Sequence, residues 1–230
     1  MRSLPIALLL AAACCLSSRV AAAAEAASAS GASADWRFDS VRTVGGAAAT
    51  ILGNPSVASG VSGAWVQFNG KADALTFDAS PIAGWAAFTI QVRFRADADG
   101  PAAQRFIHIE DAEGHRLTFE TRVTPDGAWA LDTFLLFGSS RCTLLDMKRL
   151  HPCGGWHWAA LTYENGHMSS FVDGEPELSG SVAFGAMVPS AHMAVGVRLN
   201  RVYWFKGSIS EIRFAPTALA GPQLAREAPP

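Results

Sequence analysis

Residues 156–174 read W-H-W-A-A-L-T-Y-E-N-G-H-M-S-S-F-V-D-G, and residues 205–219 read F-K-G-S-I-S-E-I-R-F-A-P-T-A-L. In the first stretch the dipeptide Asn165-Gly166 separates two apolar-rich runs, which is the local signature of a β-hairpin. The same logic extends upstream. Phe88, Ile90, Val92 and Phe94 alternate strictly with Thr89, Gln91, Arg93 and Arg95, so an antiparallel strand with one wet face is expected there. Leu117, Phe119, Thr121 and Val123 alternate in the same way with Arg116, Thr118, Glu120 and Arg122. Further strands are expected at 36–39, 64–68, 75–78, 105–110, 128–137, 156–164, 168–172, 193–197 and 209–214. Short strands, Gly, Asp and Pro turns and no sustained helical period predict an all-β protein, a two-sheet antiparallel sandwich.

These stretches, together with Phe68-Asn69-Gly70 followed by residues 73–77 and F-T-I-Q-V-R-F at 88–94, resemble the laminin-G-like and pentraxin-like domains of the concanavalin A-like superfamily. The resemblance implies a jelly-roll sandwich over residues 35–220 and places Trp156 at the family's structural core tryptophan. It also implies recognition of a ligand, because most of that superfamily binds. The family's I-D-E-V appears here as Ile209-Ser210-Glu211-Ile212, with Ser210 replacing the acid and Glu211 read as a structural residue.

The N-terminus carries one cation and then a nearly unbroken apolar run over residues 4–16, the length of a signal-peptide core and too short to span a bilayer. Residues 1–24 are therefore read as a secretory signal, 25–34 as a flexible Ala/Ser leader and 221–230 as a C-terminal tail. An alternative makes Cys14 a lipidated cysteine that anchors the exported protein. Ala11 stands where a lipobox has Leu, which favours the soluble periplasmic or extracellular product. Cleavage leaves Cys142 and Cys153, an even pair in an oxidising compartment, and a disulfide is expected between them. A net charge of −2 supplies no field for nucleic acid, and no later segment is long and apolar enough for a transmembrane helix.

Glycan cleavage needs two carboxyl groups facing one sugar bond. The nearest candidate, Glu110-Asp111-Ala112-Glu113, puts its first acids on opposite strand faces and reads as a turn, so a non-enzyme is expected. There is no G-x-S-x-G elbow and no H-E-x-x-H. The resemblance also raises calcium, which pentraxin-like relatives hold partly through the turn corresponding to Glu110, Asp111 and Glu113. The facing loop, residues 197–206, has three cations and no acid, so a hard cation would meet Arg and Lys where it needs oxygen ligands, and no cofactor is expected.

That loop is also the densest candidate binding patch: Arg198, Asn200, Arg201, Tyr203, Trp204 and Lys206 mix flat rings with donors suited to hydroxyls and carboxylates. Trp85, Trp129 and Trp204 each lie beside a turn, where an indole either caps the core or offers a face to a sugar. The expected function is an exported binding module for a glycan of the cell envelope or surroundings. A structural or protein-interaction module of the envelope is the alternative, and a glycoside hydrolase or lyase is a third reading.

Overall fold

The computed structural model describes residues 32–227; residues 1–24, read above as a secretory signal, and with them Cys14, lie outside these. In chain order the strands begin with β1 (Ala34–Arg37), β2 (Thr43–Val44), β3 (Ala47–Ala48), β4 (Thr50–Leu52), β5 (Ser56–Gly60) and β6 (Gly63–Asn69). They continue with β7 (Ala74–Phe77), β8 (Phe88–Ala96), β9 (Ala103–Glu110), β10 (Arg116–Val123), β11 (Ala128–Phe137) and β12 (Ser140–Leu145). After these come β13 (His151–Pro152), β14 (His157–Glu164), β15 (His167–Val172), β16 (Glu175–Ser181), β17 (His192–Val195) and β18 (Lys206–Ala215).

Two eight-stranded antiparallel sheets result. The first runs β16-β15-β14-β8-β18-β6-β5 with β1 added on β18, and the second runs β12-β11-β10-β9-β17-β7-β4 with β13 added on β11. This is the expected jelly-roll sandwich. The hairpin that decides it forms as read: Asn165 and Gly166 take φ of 50° and 82°, the twist that a two-residue connection between β14 and β15 demands. Asp173 and Gly174, at 49° and 75°, repeat the device and launch β16, an edge strand whose exposed E-P-E-L-S-G-S carries no alternation to announce it.

Inward residues of the two sheets meet in an aromatic core. Phe94 of β8 stacks on Phe106 of β9 with centroids 4.5 Å apart, and Trp129 of β11 meets Phe94 edge-on at 4.9 Å. Tyr163 points inward from β14, its hydroxyl donating to the Phe184 carbonyl (2.8 Å) and accepting the N–H groups of Phe184 (2.9 Å) and Gly166 (3.2 Å). Fixing Tyr163 inward also fixes the parity of its strand. Ala159 and Leu161 share its face, so Trp158, and Trp156 just ahead of the strand, lie on the outside of the sheet. The core placement of Trp156 implied by the resemblance is thereby corrected. Trp129 and Trp85 are buried and cap the core rather than offering a platform.

The expected disulfide is also corrected. Cys142 and Cys153 are free thiols. Cys142 sits opposite Leu135, whereas Pro152, the neighbour of Cys153, sits opposite Ala128 at the far end of the same strand. The intervening length of β11 is about 24 Å at about 3.4 Å per residue, against the roughly 5.5–6 Å between Cα atoms that a disulfide spans. Each thiol is packed instead. A Cβ on Gly180 would lie 2.6 Å from the Cys142 sulfur, and burial raises both thiol pKa values, with Asp97 adding to the rise at Cys153. Reductant should leave the denaturation midpoint unchanged, and non-reducing peptide mapping should find residues 142 and 153 unlinked. A midpoint lowered by dithiothreitol through loss of such a link would contradict this packing.

Candidate functional site

The outer face of the second sheet carries a polar cleft. In β10 the inward positions are taken by Leu117, Phe119, Thr121 and Val123, which turns Arg116, Thr118, Glu120 and Arg122 outward. The register with β11 sets Glu120 beside Asp132 and Thr118 beside Phe134. On the other side a β-bulge at Phe106 sets Arg105 opposite Glu120. A cavity of about 200 Å³ opens between these residues, with Thr143 and Arg198 at its rim.

Two acids lie almost fully buried here, so their charges must be met locally. The Arg122 guanidinium bridges them, donating from Nε (2.9 Å) and Nη2 (2.5 Å) to Asp132 Oδ2 and from Nη2 to Glu120 Oε2 at 3.2 Å. Thr118 Oγ1 donates to Glu120 Oε1 at 2.9 Å. Arg105 Nε lies 2.8 Å from the same oxygen as an ion pair whose angle is too poor for a hydrogen bond, leaving Nε and Nη1 of Arg105 without hydrogen-bond partners. Desolvation raises the Glu120 pKa and the adjacent Asp132 charge raises it further, with Arg105, Thr118 and Arg122 opposing.

Loop 196–205 is tied across the edge of this cleft. Tyr203 places its ring 4.0 Å from the Arg105 guanidinium carbon and accepts the Arg105 N–H at 2.9 Å. The Leu199 N–H donates to His108 Nδ1 (3.0 Å), so the His108 proton sits on Nε2, which lies 3.2 Å from a Glu110 carboxylate oxygen. Burial, followed by the charges of Arg198, Arg116 and Arg105, pushes the His108 pKa down to about 3. Arg201 and Tyr203 both hold φ at 61°, an uncommon conformation for side-chain-bearing residues that places the Tyr203 ring over Arg105.

The loop residues expected to form one patch therefore divide. Arg198 lines the cleft and Tyr203 covers Arg105, whereas Asn200 and Arg201 stand exposed at the tip. Trp204 packs against a small apolar cluster of Ala74, Ala194 and Val197, and Lys206 pairs with Asp99 while its N–H donates to Gln104 Oε1 at 2.7 Å. In the acidic turn, Asp111 is buried and its oxygens are taken by the N–H groups of Glu113, His115 and Val188 and by the His115 ring. Its partner Glu110 faces His108, and Glu113 projects outward. Among the described residues no group of three or more His, Cys, Asp or Glu side chains is placed to hold a metal ion.

Glu120, Asp132 and Arg105 were not among the expected site residues. The sequence holds one signal for them: Asp132 is a lone acid inside A-W-A-L-D-T-F-L-L-F, where a mid-strand carboxylate demands a partner.

A family model described as the concanavalin A-like lectin/glucanases superfamily matches residues 69–225. No curated protein matches the chain by sequence. Among solved structures, the chain is similar to domain 4 of AbnA, a GH43 extracellular arabinanase from Geobacillus stearothermophilus, in complex with arabinotriose. The TM-score is 0.64 and the identity 20%, over 83% of this chain and 94% of that one. It is similar also to a heptameric SAP-like pentraxin from Limulus polyphemus, with TM-score 0.54 and 14% identity over 68% of this chain and 77% of the pentraxin. A Trypanosoma rangeli sialidase in complex with the inhibitor DANA gives TM-score 0.59 and 14% identity, over 82% of this chain and 31% of the sialidase. At identities this low the likeness shows the fold alone.

The depressed His108 pKa has a consequence for stability. Between about pH 3 and its ordinary value of 6.5, the unfolded chain binds a proton that the native state refuses. The stabilisation is complete above pH 6.5 and is lost as pH falls, at up to about 1.4 kcal/mol per pH unit. His108→Gln, whose amide oxygen can still accept the Leu199 N–H, should lose stability less steeply on acidification in urea titrations. Parallel pH profiles for the two proteins would exclude His108 as the group responsible.

Proposed function

The chain belongs to the concanavalin A-like lectin/glucanases superfamily, and from that premise we propose that it is an exported, non-catalytic module that binds a glycan of the cell envelope or its surroundings. The observation that carries this reading is the cleft on the second sheet. Sugar hydroxyls donate and accept at once, and the cleft offers guanidinium donors at Arg116 and Arg198 beside the Asp132 carboxylate oxygen that Arg122 leaves free. Phe134 lines the same cavity and supplies an apolar surface for a ring. The arabinotriose complex of the arabinanase domain supports a glycan as ligand for this fold. Export rests on the apolar run at residues 4–16.

A binding role rather than cleavage is supported by how the acids are held. A glycosidase needs one carboxyl group free to protonate the leaving oxygen and a second free to attack or to activate water. Here one guanidinium, Arg122, grips both, and Thr118 and Arg105 engage the remaining side of Glu120.

Binding should be detectable on a glycan array and unaffected by EDTA, and it should weaken as salt screens the arginines. Arg116→Ala and Arg198→Ala, each in protein with an unchanged melting curve, should weaken the interaction at least roughly fivefold, as expected for loss of a charge-assisted hydrogen bond. Normal affinity in both variants would remove the cleft as the site. Release of reducing ends that disappears in Glu120→Gln would make the protein a hydrolase.

A further inference from the structure

The opposite face of the molecule carries a second, differently built cluster. On the outside of the first sheet, Trp65 of β6 and Trp156 meet edge-on with centroids 5.7 Å apart. Two guanidinium groups of β8 pack on them: Arg93 lies 4.8 Å from the Trp156 ring, and Arg95 lies 5.3 Å from Trp156 and 5.8 Å from Trp65. The Trp65 indole N–H is buried without a hydrogen-bond partner. Among the described residues no acid pairs with Arg95, which donates only to the Ser208 hydroxyl at 3.2 Å. A cavity of about 180 Å³ is lined by Arg93 and Ser210, and one of about 290 Å³ is lined by Ser208, the partner of Arg95, and by Gln67, two residues from Trp65; the indoles themselves line neither.

Arg93 is occupied, and by an informative group. The segment after β18 turns back over this face, the Leu219 N–H donating to Thr89 Oγ1 (2.8 Å) and the Ala225 N–H to Gln91 Oε1 (2.7 Å), with Leu224 buried beneath it. Glu227 then sets both carboxylate oxygens against the fork of Arg93, one on Nε and the other 2.9 Å from Nη2. A guanidinium that lies against an indole and takes a carboxylate on its edge is a recognition geometry for an anionic ligand. Here the chain's own side chain fills it. Other acids line the two cavities: Asp39 and Glu211, the latter held by Arg213, line the first, and Asp97 and the buried Asp73, which accepts the Asn54 N–H, line the second.

We infer that the Trp65–Trp156–Arg93–Arg95 face is a second ligand site, for the carboxylate and ring face of a uronate-containing oligosaccharide, and that Glu227 occludes it by standing in for that carboxylate. The flat indoles favour a sugar ring over an extended acidic peptide, whose carboxylate would use the arginines and leave the indoles unused. The site is separate from the cleft on the second sheet, and its test does not depend on that cleft.

The experiment is isothermal titration of the full chain with trigalacturonic acid, with maltotriose as the neutral control. Glu227→Gln should bind trigalacturonic acid about tenfold more tightly than the unaltered protein, the effect of releasing one charge-assisted pair, with no change for maltotriose. Trp156→Ala and Arg95→Ala, each added to Glu227→Gln, should abolish that gain, and Arg198→Ala on the opposite face should keep it. If Arg95→Ala fails to fold, Arg95→Lys retains the charge without the fork and should still lose most of the gain. Equal affinities with and without Glu227→Gln would overturn the inference. So would a gain that survives the Trp156 and Arg95 changes, or one seen with a glutamate-rich peptide and not with the uronate.

Discussion

Phe106 is one residue too many for its strand. Phe119 of β10 faces Ile107 and the next residue, Glu120, faces Arg105, so Phe106 has no partner across the ladder. Strict alternation through R-F-I-H-I-E would send Arg105 into the core with Ile107 and Ile109. With the bulge, Phe106 and Ile107 both point inward, each fully buried, while Arg105 and His108 face out. Burying the extra ring is worth about 1.5–3 kcal/mol, and an unpaired guanidinium in the core would cost several. The backbone freed by the bulge is used as well: the Phe106 carbonyl accepts the Gly196 N–H at 3.0 Å and the Arg105 N–H donates to Tyr203. One inserted residue thus packs the core, aims Arg105 at the cleft and ties down the loop that borders it.

The electrostatics of the cleft follow from that aim. Four arginines converge on one face, and a buried imidazole among them cannot afford a charge, which is why His108 stays neutral and can serve as an acceptor for the loop. Glu120 and Asp132 offset part of the field, yet two neighbouring carboxylates repel each other and resist burial. Arg122 resolves this by lying across both. Arg116 and Arg198 have no acid of their own among the described residues, so the cleft keeps a net attraction for acceptor-rich ligands.

The strands that pack on both sides were legible in the sequence because burial writes itself as alternation: F-T-I-Q-V-R-F-R and R-L-T-F-E-T-R-V appear as β8 and β10 with the faces they announce. Edge strands such as β5, S-V-A-S-G, expose nearly every side chain and leave no periodic trace. The cleft was only half legible. Arg198 and Tyr203 could be read because they crowd one loop, but Glu120 and Asp132 come together through strand register, and Arg105 joins them through a bulge. Register and bulges are tertiary outcomes, set by which packing of the core is best. Cys142 and Cys153 illustrate the converse: they are close in sequence, yet β12 leaves one end of β11 and β13 returns to the other.

Trp156 shows how one strand's parity distributes chemistry over the whole molecule. Tyr163 is held inward by four hydrogen bonds between its hydroxyl and the backbone of Gly166, Val182 and Phe184, and residues an odd number of positions away must then lie on the outer face of the sheet. Two indoles in water would be an aggregation hazard on an open sheet. Arginines of β8 and β18 pack against them, Arg93 and Arg95 beside Trp156 and Arg213 against Trp158 at 4.5 Å, and the C-terminal segment closes over Arg93. The second sheet uses the reverse arrangement, with acids at the centre and arginines around them. The same sandwich therefore presents aromatic–cationic chemistry on one side and ionic chemistry on the other, with the aromatic core between them.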